Sequence, residues 1–222
     1  KFAAGDDGRK DIVPLARARA AAPSFDWATE EIRKPEILGL QHFESIPLDV
    51  LATYIDWSPY FWAWQLHGVY PTIFNKPEVG TEAMKLFADG KKMLEDIIAN
   101  KRFTSRAVAG FWPANSVGDD VEIYSDESRV EQIATFHFLR QQRQKKEGQI
   151  CRSLSDNVAP KDSGRIDYFG SFAVTMGQEV EDYAARFRDA GDDYIAIIVQ
   201  SLGDRLAEAS AEYLHKTLRH QC

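Results

Sequence analysis

The stretch "RAVAGFWPANSVGDDVEIYS" (residues 106–125) decides which fold class the chain can adopt. Its first half, residues 106–116, is a short apolar run that ends in Pro and Asn, which is typical of a strand followed by a loop. Gly118 and Asp119 then suit a tight turn, and residues 118–125 alternate between polar and apolar side chains. The stretch therefore predicts two strands separated by a turn.

Three later segments carry the same kind of signal. Residues 133–140, "IATFHFLR", place Ile133 and His137 on one face of a strand, while the intervening residues fall on the other face. Residues 150–160 and 166–175 complete the set of predicted strands. Because these short strands are joined by short polar links, we expect a mainly antiparallel sheet.

Helical periodicity flanks this region on both sides. Before it, residues 43–55 and 78–99 place apolar side chains at helical spacing. After it, residues 178–190 and 192–219 show the same spacing. An order of helices, then strands, then helices indicates an α+β protein rather than alternating βαβ units.

The N-terminal residues 1–36 differ from the rest of the chain. They contain Gly, Pro and Ala-rich stretches and no sustained apolar period, so we interpret them as a linker or N-terminal arm. Trp27 and Ile32 are the residues expected to dock the end of this arm onto the body. Residues 37–222 then form the body, and the total length fits one domain with an added arm.

Composition narrows the function classes. The formal net charge is -7 with scattered Lys and Arg, whereas binding to a nucleic-acid backbone needs a clustered basic face. No apolar run approaches the ~20 residues of a membrane span, and no signal peptide is visible. Cys151 and Cys222 predict free thiols in a reducing compartment rather than a disulfide. We therefore expect a cytoplasmic protein that binds neither nucleic acid nor membranes.

A second stretch, "IDWSPYFWAWQL" (residues 55–66), places one acid beside a dense group of aromatic rings. The helix over 43–55 should stop near Asp56, and Ser58 is expected to cap a new short helix with Pro59 in its first turn. Asp56 would then lie at a helix–helix junction. It could serve as a cap or an ion-pair partner, or it could bind the ammonium group of a ligand next to aromatic faces.

Other chemical signals are weak. Asp204, Glu208 and Glu212 recur every four residues, so they share one helix face, which is either a solvated stripe or, for the first two acids, the wall of a polar cleft. No glycine-rich nucleotide loop or P-loop is present. The five histidines form no zinc-type pair or cluster, and no nucleophile triad can be inferred from spacing. We expect no metal site.

Several segments, taken together and in order, resemble one known family: the activation domain of cobalamin-dependent methionine synthase. The resemblance runs from about residue 37 to the C-terminus. The segments that carry it are "YIDWSPYFWAWQLHGVYP" (54–71), "GFWPANSVGDDVEIY" (110–124), "FLRQQ" (138–142), "LSDNVAP" (154–160), "DYFGSFAV" (167–174) and "DDYIAIIVQSLGDRLAEASAEYLH" (192–215).

This resemblance implies a bent, C-shaped α+β domain that has a central, mainly antiparallel sheet flanked by helices. It also implies a function: binding S-adenosylmethionine for the reductive methylation of cob(II)alamin in a 5-methyltetrahydrofolate–homocysteine methyltransferase. The implied partners are the cobalamin-binding domain of that enzyme and flavodoxin or a related reductase. Cobalamin would be bound mainly by another domain, and zinc would belong elsewhere in the parent enzyme.

The resemblance also assigns two site residues. Asp56 looks like the family position whose carboxylate holds the amino group of S-adenosylmethionine, and Glu208 resembles a family acid on the final long helix near the ligand. No catalytic residue is implied, because the corrinoid performs the chemistry and the domain positions the methyl donor.

The sequence departs from the family pattern at its end. In the family, an Arg-Pro-x-x-Gly-Tyr segment that also holds the ligand follows the long helix, whereas this sequence stops at "LHKTLRHQC". We therefore expect that the C-terminal part of the family domain is missing and that the fragment alone is not an active enzyme. The alternative function is a non-catalytic module that docks on the cobalamin domain and no longer binds S-adenosylmethionine. A stand-alone methyltransferase has no motif to support it.

Overall fold

The computed structural model describes residues 12–143, 146 and 148–220. The chain divides into two compact units. We call residues 12–39 and 110–171 the sheet unit, and residues 40–109 and 172–220 the helical unit.

The order of helices and strands confirms the α+β class and the sheet flanked by helices. The sheet has the strand order β1-β2-β3-β4, and β5 pairs with β2. Among the described residues, short 3-10 helices lie at Thr72–Asn75, Leu154–Asn157 and Lys161–Ser163. The described elements are α1 (Leu15–Ala20), β1 (Gly39–Ile46), α2 (Leu48–Ala52), α3 (Ser58–Trp62), α4 (Gly80–Ala99), β2 (Ser105–Val117), β3 (Asp120–Tyr124), β4 (Gln132–His137), β5 (Asp167–Thr175), α5 (Glu179–Asp189) and α6 (Asp193–Arg219).

Antiparallel pairing of β2, β3 and β4 confirms the sheet that the sequence predicts. Val117 pairs with Asp120 across the turn. Gly118 in this turn has a φ of 63°, which residues other than glycine rarely adopt. β3 pairs in turn with β4. A small apolar cluster packs beside these strands and is formed by buried Ala114, Val121, Ile123 and Val158 with Trp112, Phe138 and Phe169 against it.

The prediction of a strand over residues 150–160 is wrong. Ser153 opens a 3-10 turn there: its side chain accepts a hydrogen bond from the amide of Ser155, and the Asp156 carboxylate accepts one from the amide of Ser153. The guanidinium of Arg140, which is 8% exposed, also donates to Asp156 and to the carbonyl oxygen of Cys151. Because side chains satisfy these backbone and carboxylate groups locally, the segment does not need a strand partner.

The first strand, β1, lies partly where the sequence predicts a helix. Residues Phe43–Ile46 belong to β1, and the predicted helix over 43–55 shrinks to Leu48–Ala52. Pro47 separates the two elements with φ -59° and ψ 125°. A proline disfavours helical geometry at the residue before it, so Ile46 is extended although its apolar spacing resembles that of a helix.

The helical unit has a large apolar core around α6. This helix packs against α2, α3, α4 and α5. Its N-terminus is capped by Asp192, whose carboxylate accepts a hydrogen bond from the amide of Ile195 at 3.0 Å. In the described part of the chain, no helix combines the length and the apolar character that crossing a bilayer requires.

Gly90 on α4 tests how closely this core is packed. A Cβ atom at position 90 would overlap the Tyr60 hydroxyl and lie 2.7 Å from Tyr60 Cζ. We therefore expect Gly90→Ala to lower the free energy of unfolding by about 1–3 kcal/mol, as overpacked substitutions do. In an open helical position the same change would stabilise by up to about 1 kcal/mol. Urea unfolding followed by circular dichroism distinguishes the two signs, and a more stable variant would contradict the packing described here.

Candidate functional site

Asp56 lies at the helix–helix junction that the sequence predicts, in the loop between α2 and α3. Its side chain is exposed, and its Oδ1 accepts a hydrogen bond from the backbone N–H of Ser58 at 2.9 Å. The expectation that Ser58 caps α3 is wrong, because Ser58 is the first residue of the helix. The Ser58 hydroxyl instead accepts from the N–H of Tyr70 at 3.1 Å. The acid itself therefore satisfies the N-terminus of α3.

The aromatic residues after Asp56 mainly fill the core. The Trp57 ring meets the rings of Tyr60 and Phe87 edge to face, at centroid distances of 5.3 and 4.8 Å. Phe61 has no exposed surface, whereas Trp62 is 53% exposed. The junction thus rests on buried rings that hold its backbone in place.

Tyr60 has no acid–base role in this arrangement. Its hydroxyl donates to the carbonyl oxygen of Leu86 at 3.2 Å. Burial raises the pKa of Tyr60 well above its ordinary value, and the nearby Tyr194 and Asp89 raise it further. The hydroxyl therefore stays neutral and serves to join α3 to α4.

Glu208 lies on α6, where its side chain is exposed between buried Leu206 and Ala209. Asp204 and Glu212 are exposed on the same helix. Among the ion pairs between described residues, none includes these three acids. Their exposure agrees with either of the two readings that the sequence leaves open, a solvated stripe or the wall of a polar cleft.

Tyr54 connects the junction to α6. Its ring meets the Tyr213 ring edge to face at a centroid distance of 5.7 Å. Lys216 donates to the Tyr54 hydroxyl at 3.3 Å, and its Nζ lies 5.6 Å from the centre of the ring. Because Tyr54 is two residues before Asp56, these contacts hold the candidate acid's loop against the helix that carries Glu208.

A cavity of 540 Å³ lies next to this contact. Its lining is formed by Tyr54, Glu212, His215, Lys216, Arg219 and His220, and neither Asp56 nor Glu208 belongs to that lining.

Within the described residues, no group of three or more His, Cys, Asp or Glu side chains is arranged to hold a metal ion. The part played by Tyr54 and Lys216 could not be inferred from the sequence, because cation–π pairs between distant segments have no signature in sequence spacing.

The fold defines the class of the protein: an α+β domain built on an antiparallel sheet that is flanked by helices. The family model described as "Vitamin B12 dependent methionine synthase, activation domain" matches residues 47–222. The chain therefore belongs to this family.

A solved structure agrees with this assignment. The chain is similar to the one in "Crystal Structure of the MetH Reactivation Domain bound to AdoHcy", with 46% sequence identity and a TM-score of 0.86. The similarity covers 94% of this chain and 63% of that chain. The present sequence thus spans a little under two thirds of the length of the related chain.

The capping role of Asp56 can be separated from its charge. Asp56→Ala removes the acceptor of the Ser58 N–H and should lower the free energy of unfolding by about 1 kcal/mol. Asp56→Asn keeps an oxygen at the same place and should leave stability within about 0.5 kcal/mol of the parent. Urea unfolding measures both values. An equal loss in the two variants would show that the charge, and not the accepted hydrogen bond, stabilises the junction.

Proposed function

We propose that this chain is the S-adenosylmethionine-binding part of the reactivation domain of a cobalamin-dependent methionine synthase. The observation that carries the proposal is the 46% identity, over 94% of the chain, to a reactivation domain bound to AdoHcy. AdoHcy is what remains of S-adenosylmethionine after its methyl group has been transferred, so a site for one has the shape of a site for the other.

Asp56 is the residue that we propose binds the ligand's ammonium group. One carboxylate oxygen is held by the Ser58 N–H, and the side chain is exposed. The other oxygen can therefore accept a charge-assisted hydrogen bond from an ammonium group, which is among the stronger polar contacts in proteins. Since the capping bond fixes the carboxylate before the ligand arrives, little conformational freedom is lost on binding.

Glu208 is proposed to act from α6. Its exposed carboxylate lies on the helix to which Tyr54 and Lys216 attach the Asp56 loop. A second carboxylate on this helix would strengthen the negative electrostatic potential around a positively charged sulfonium ligand. We assign it a role in attracting and orienting the ligand, and no role in proton transfer.

S-adenosylmethionine supplies an activated methyl group, which reaches cobalamin together with one electron in reductive methylation. The residues of this chain would bind the donor, orient its methyl group and exclude water, and no general base is needed. We further propose that the cobalamin-binding domain docks on this domain, and that flavodoxin or a related reductase supplies the electron. The parent enzyme would then be a cytoplasmic methyltransferase of methionine biosynthesis whose zinc lies in another domain.

A second candidate function is a docking module that has kept the surface for the cobalamin domain and does not bind S-adenosylmethionine. The observation in its favour is that neither Asp56 nor Glu208 lines the 540 Å³ cavity next to Tyr54.

Isothermal titration calorimetry with S-adenosylmethionine, which carries both the ammonium group and the sulfonium, tests the assignment. Asp56→Asn should weaken binding by about ten- to a hundred-fold, because it removes the charge-assisted bond while keeping the cap. Glu208→Gln should weaken binding by a smaller factor. Glu212→Gln, an exposed acid one turn further along α6, is the matched control and should bind like the parent.

The outcomes separate the two candidate functions. Equal affinity of the parent and Asp56→Asn would refute the role of Asp56. A parent chain that releases no heat at millimolar ligand, and yet binds an isolated cobalamin domain, would leave only the docking function.

A further inference from the structure

The arm of the sheet unit, residues 12–36, is attached to the body mainly by polar and charged contacts. Of its residues, only Ala18 and Pro35 are buried. Burial of apolar surface is the main term that favours folding. The arm buries little apolar surface, so it gains little stability in this way. Individual hydrogen bonds and ion pairs must therefore hold the described arm residues in place.

The first attachment is an ion pair with a shared acid. Arg19 Nε on the arm lies 2.8 Å from Asp119 Oδ2, while Arg140 Nε of the body lies 2.7 Å from Asp119 Oδ1. Burial by itself raises the pKa of Asp119, but the hydrogen bonds from Arg19 and Arg140 outweigh it and leave the pKa below its usual value. Asp119 is thus ionised and held by the body, ready to receive the arm.

The second ion pair repeats this design further along the arm. Lys34 Nζ lies 2.6 Å from Glu127 Oε1, and the same oxygen accepts a hydrogen bond from the Tyr168 hydroxyl at 2.6 Å. The hydrogen bond from Lys34, and then that from Tyr168, lowers the pKa of Glu127. Here too a residue of the body orients the carboxylate that the arm binds.

Backbone groups make the remaining attachments. One Nη of Arg165 donates to the carbonyl oxygens of Trp27 and Glu30, at 2.6 and 2.7 Å. The amide of Val13 donates to the carbonyl of Gln142 at 3.0 Å, and the amide of Cys151 donates to the carbonyl of Ala21 at 2.9 Å. The neutral backbone bonds contribute little net stability, because water replaces them when they break, whereas the bonds from the charged Arg165 contribute more.

The arm also covers polar side chains of the sheet unit, including Arg140 and Asp156. Residues Ala22, Pro23, Phe25 and Trp27 form one wall of a cavity of 560 Å³, and Arg140 and Asp156 belong to its other side. Cys151, whose amide bonds to the arm, is completely buried. Because the Cys151 amide lies 2.9 Å from the Ala21 carbonyl oxygen, departure of the arm would open the cavity and remove one of the groups packed against Cys151.

From these contacts we infer that residues 12–36 form a releasable electrostatic strap, which detaches from residues 110–171 as one piece while the rest of the protein stays folded. Local opening of this kind occurs where few apolar contacts hold a segment. Because charges make the attachment, its strength depends on ionic strength, which screens exposed pairs. The inference concerns the sheet unit alone and does not depend on the ligand proposed above.

Cys151 is a built-in reporter of release. In a Cys222→Ser background it is the only cysteine, and its labelling by 5,5′-dithiobis-(2-nitrobenzoic acid) under native conditions measures the open fraction. Arg19→Ala and Lys34→Ala should each speed labelling by about two- to five-fold, the range expected for exposed ion pairs. Because the two pairs have separate partners, the double variant should speed it by about four- to twenty-five-fold.

A matched control lies on the same segment. Arg33 pairs with Glu31, and both are exposed arm residues, so Arg33→Ala should label at the parent rate. Raising NaCl from 50 to 500 mM should speed labelling of the parent, and should have less effect on the Arg19→Ala/Lys34→Ala double variant. Circular dichroism should show the same thermal midpoint in all variants, because the strap opens without global unfolding.

Hydrogen exchange gives an independent measurement. The amides of Val13 and Cys151 should exchange faster than that of Leu202 in α6, and the double variant should speed only the first two. Two results would overturn the inference: labelling of the arm variants at the rate of Arg33→Ala, or a rise in labelling that matches an equal loss of global stability.

Discussion

The burial of one face of α6 is the constraint on which the helical unit depends. The buried hydrophobic positions recur at helical spacing and are Ala196, Ile198, Val199, Leu202, Leu206, Ala209, Leu214 and Leu218. Full burial of each large aliphatic side chain favours folding by about 1.5–3 kcal/mol. Because α2, α3, α4 and α5 all pack on this helix, the short helices are ordered although they are too short to be stable alone. Exposed acids, including Glu208, lie outside this buried face of α6.

The position of Asp56 follows from that packing. Trp57 and Phe61 are anchored in the core, and Tyr54 contacts Tyr213 and Lys216 on α6. The backbone between these anchors has little freedom, so the exposed carboxylate has a defined position. Asp56 can therefore accept the Ser58 N–H with one carboxylate oxygen and bind a ligand with the other.

The sheet unit is stabilised in a different way. Its apolar cluster is small, and carboxylates shared between two donors connect segments that are far apart in the chain. Asp119 joins Arg19 to Arg140, and Glu127 joins Lys34 to Tyr168. Arg19 and Lys34, the partners that the arm supplies, are largely exposed, so their two ion pairs orient the arm and contribute little net stability.

Sequence alone determined the long elements. α4, α6 and the β2–β3 pair were predictable because their periodicity and turn residues act locally, and the family followed from motifs in a fixed order. Tertiary structure decided the rest. Residues 39–46 became a strand and residues 150–160 a side-chain-capped turn, because distant partners and Arg140 outweigh weak local preferences. It also made Asp56, and not Ser58, the side chain that accepts a hydrogen bond at the start of α3, while the Ser58 hydroxyl accepts one from Tyr70.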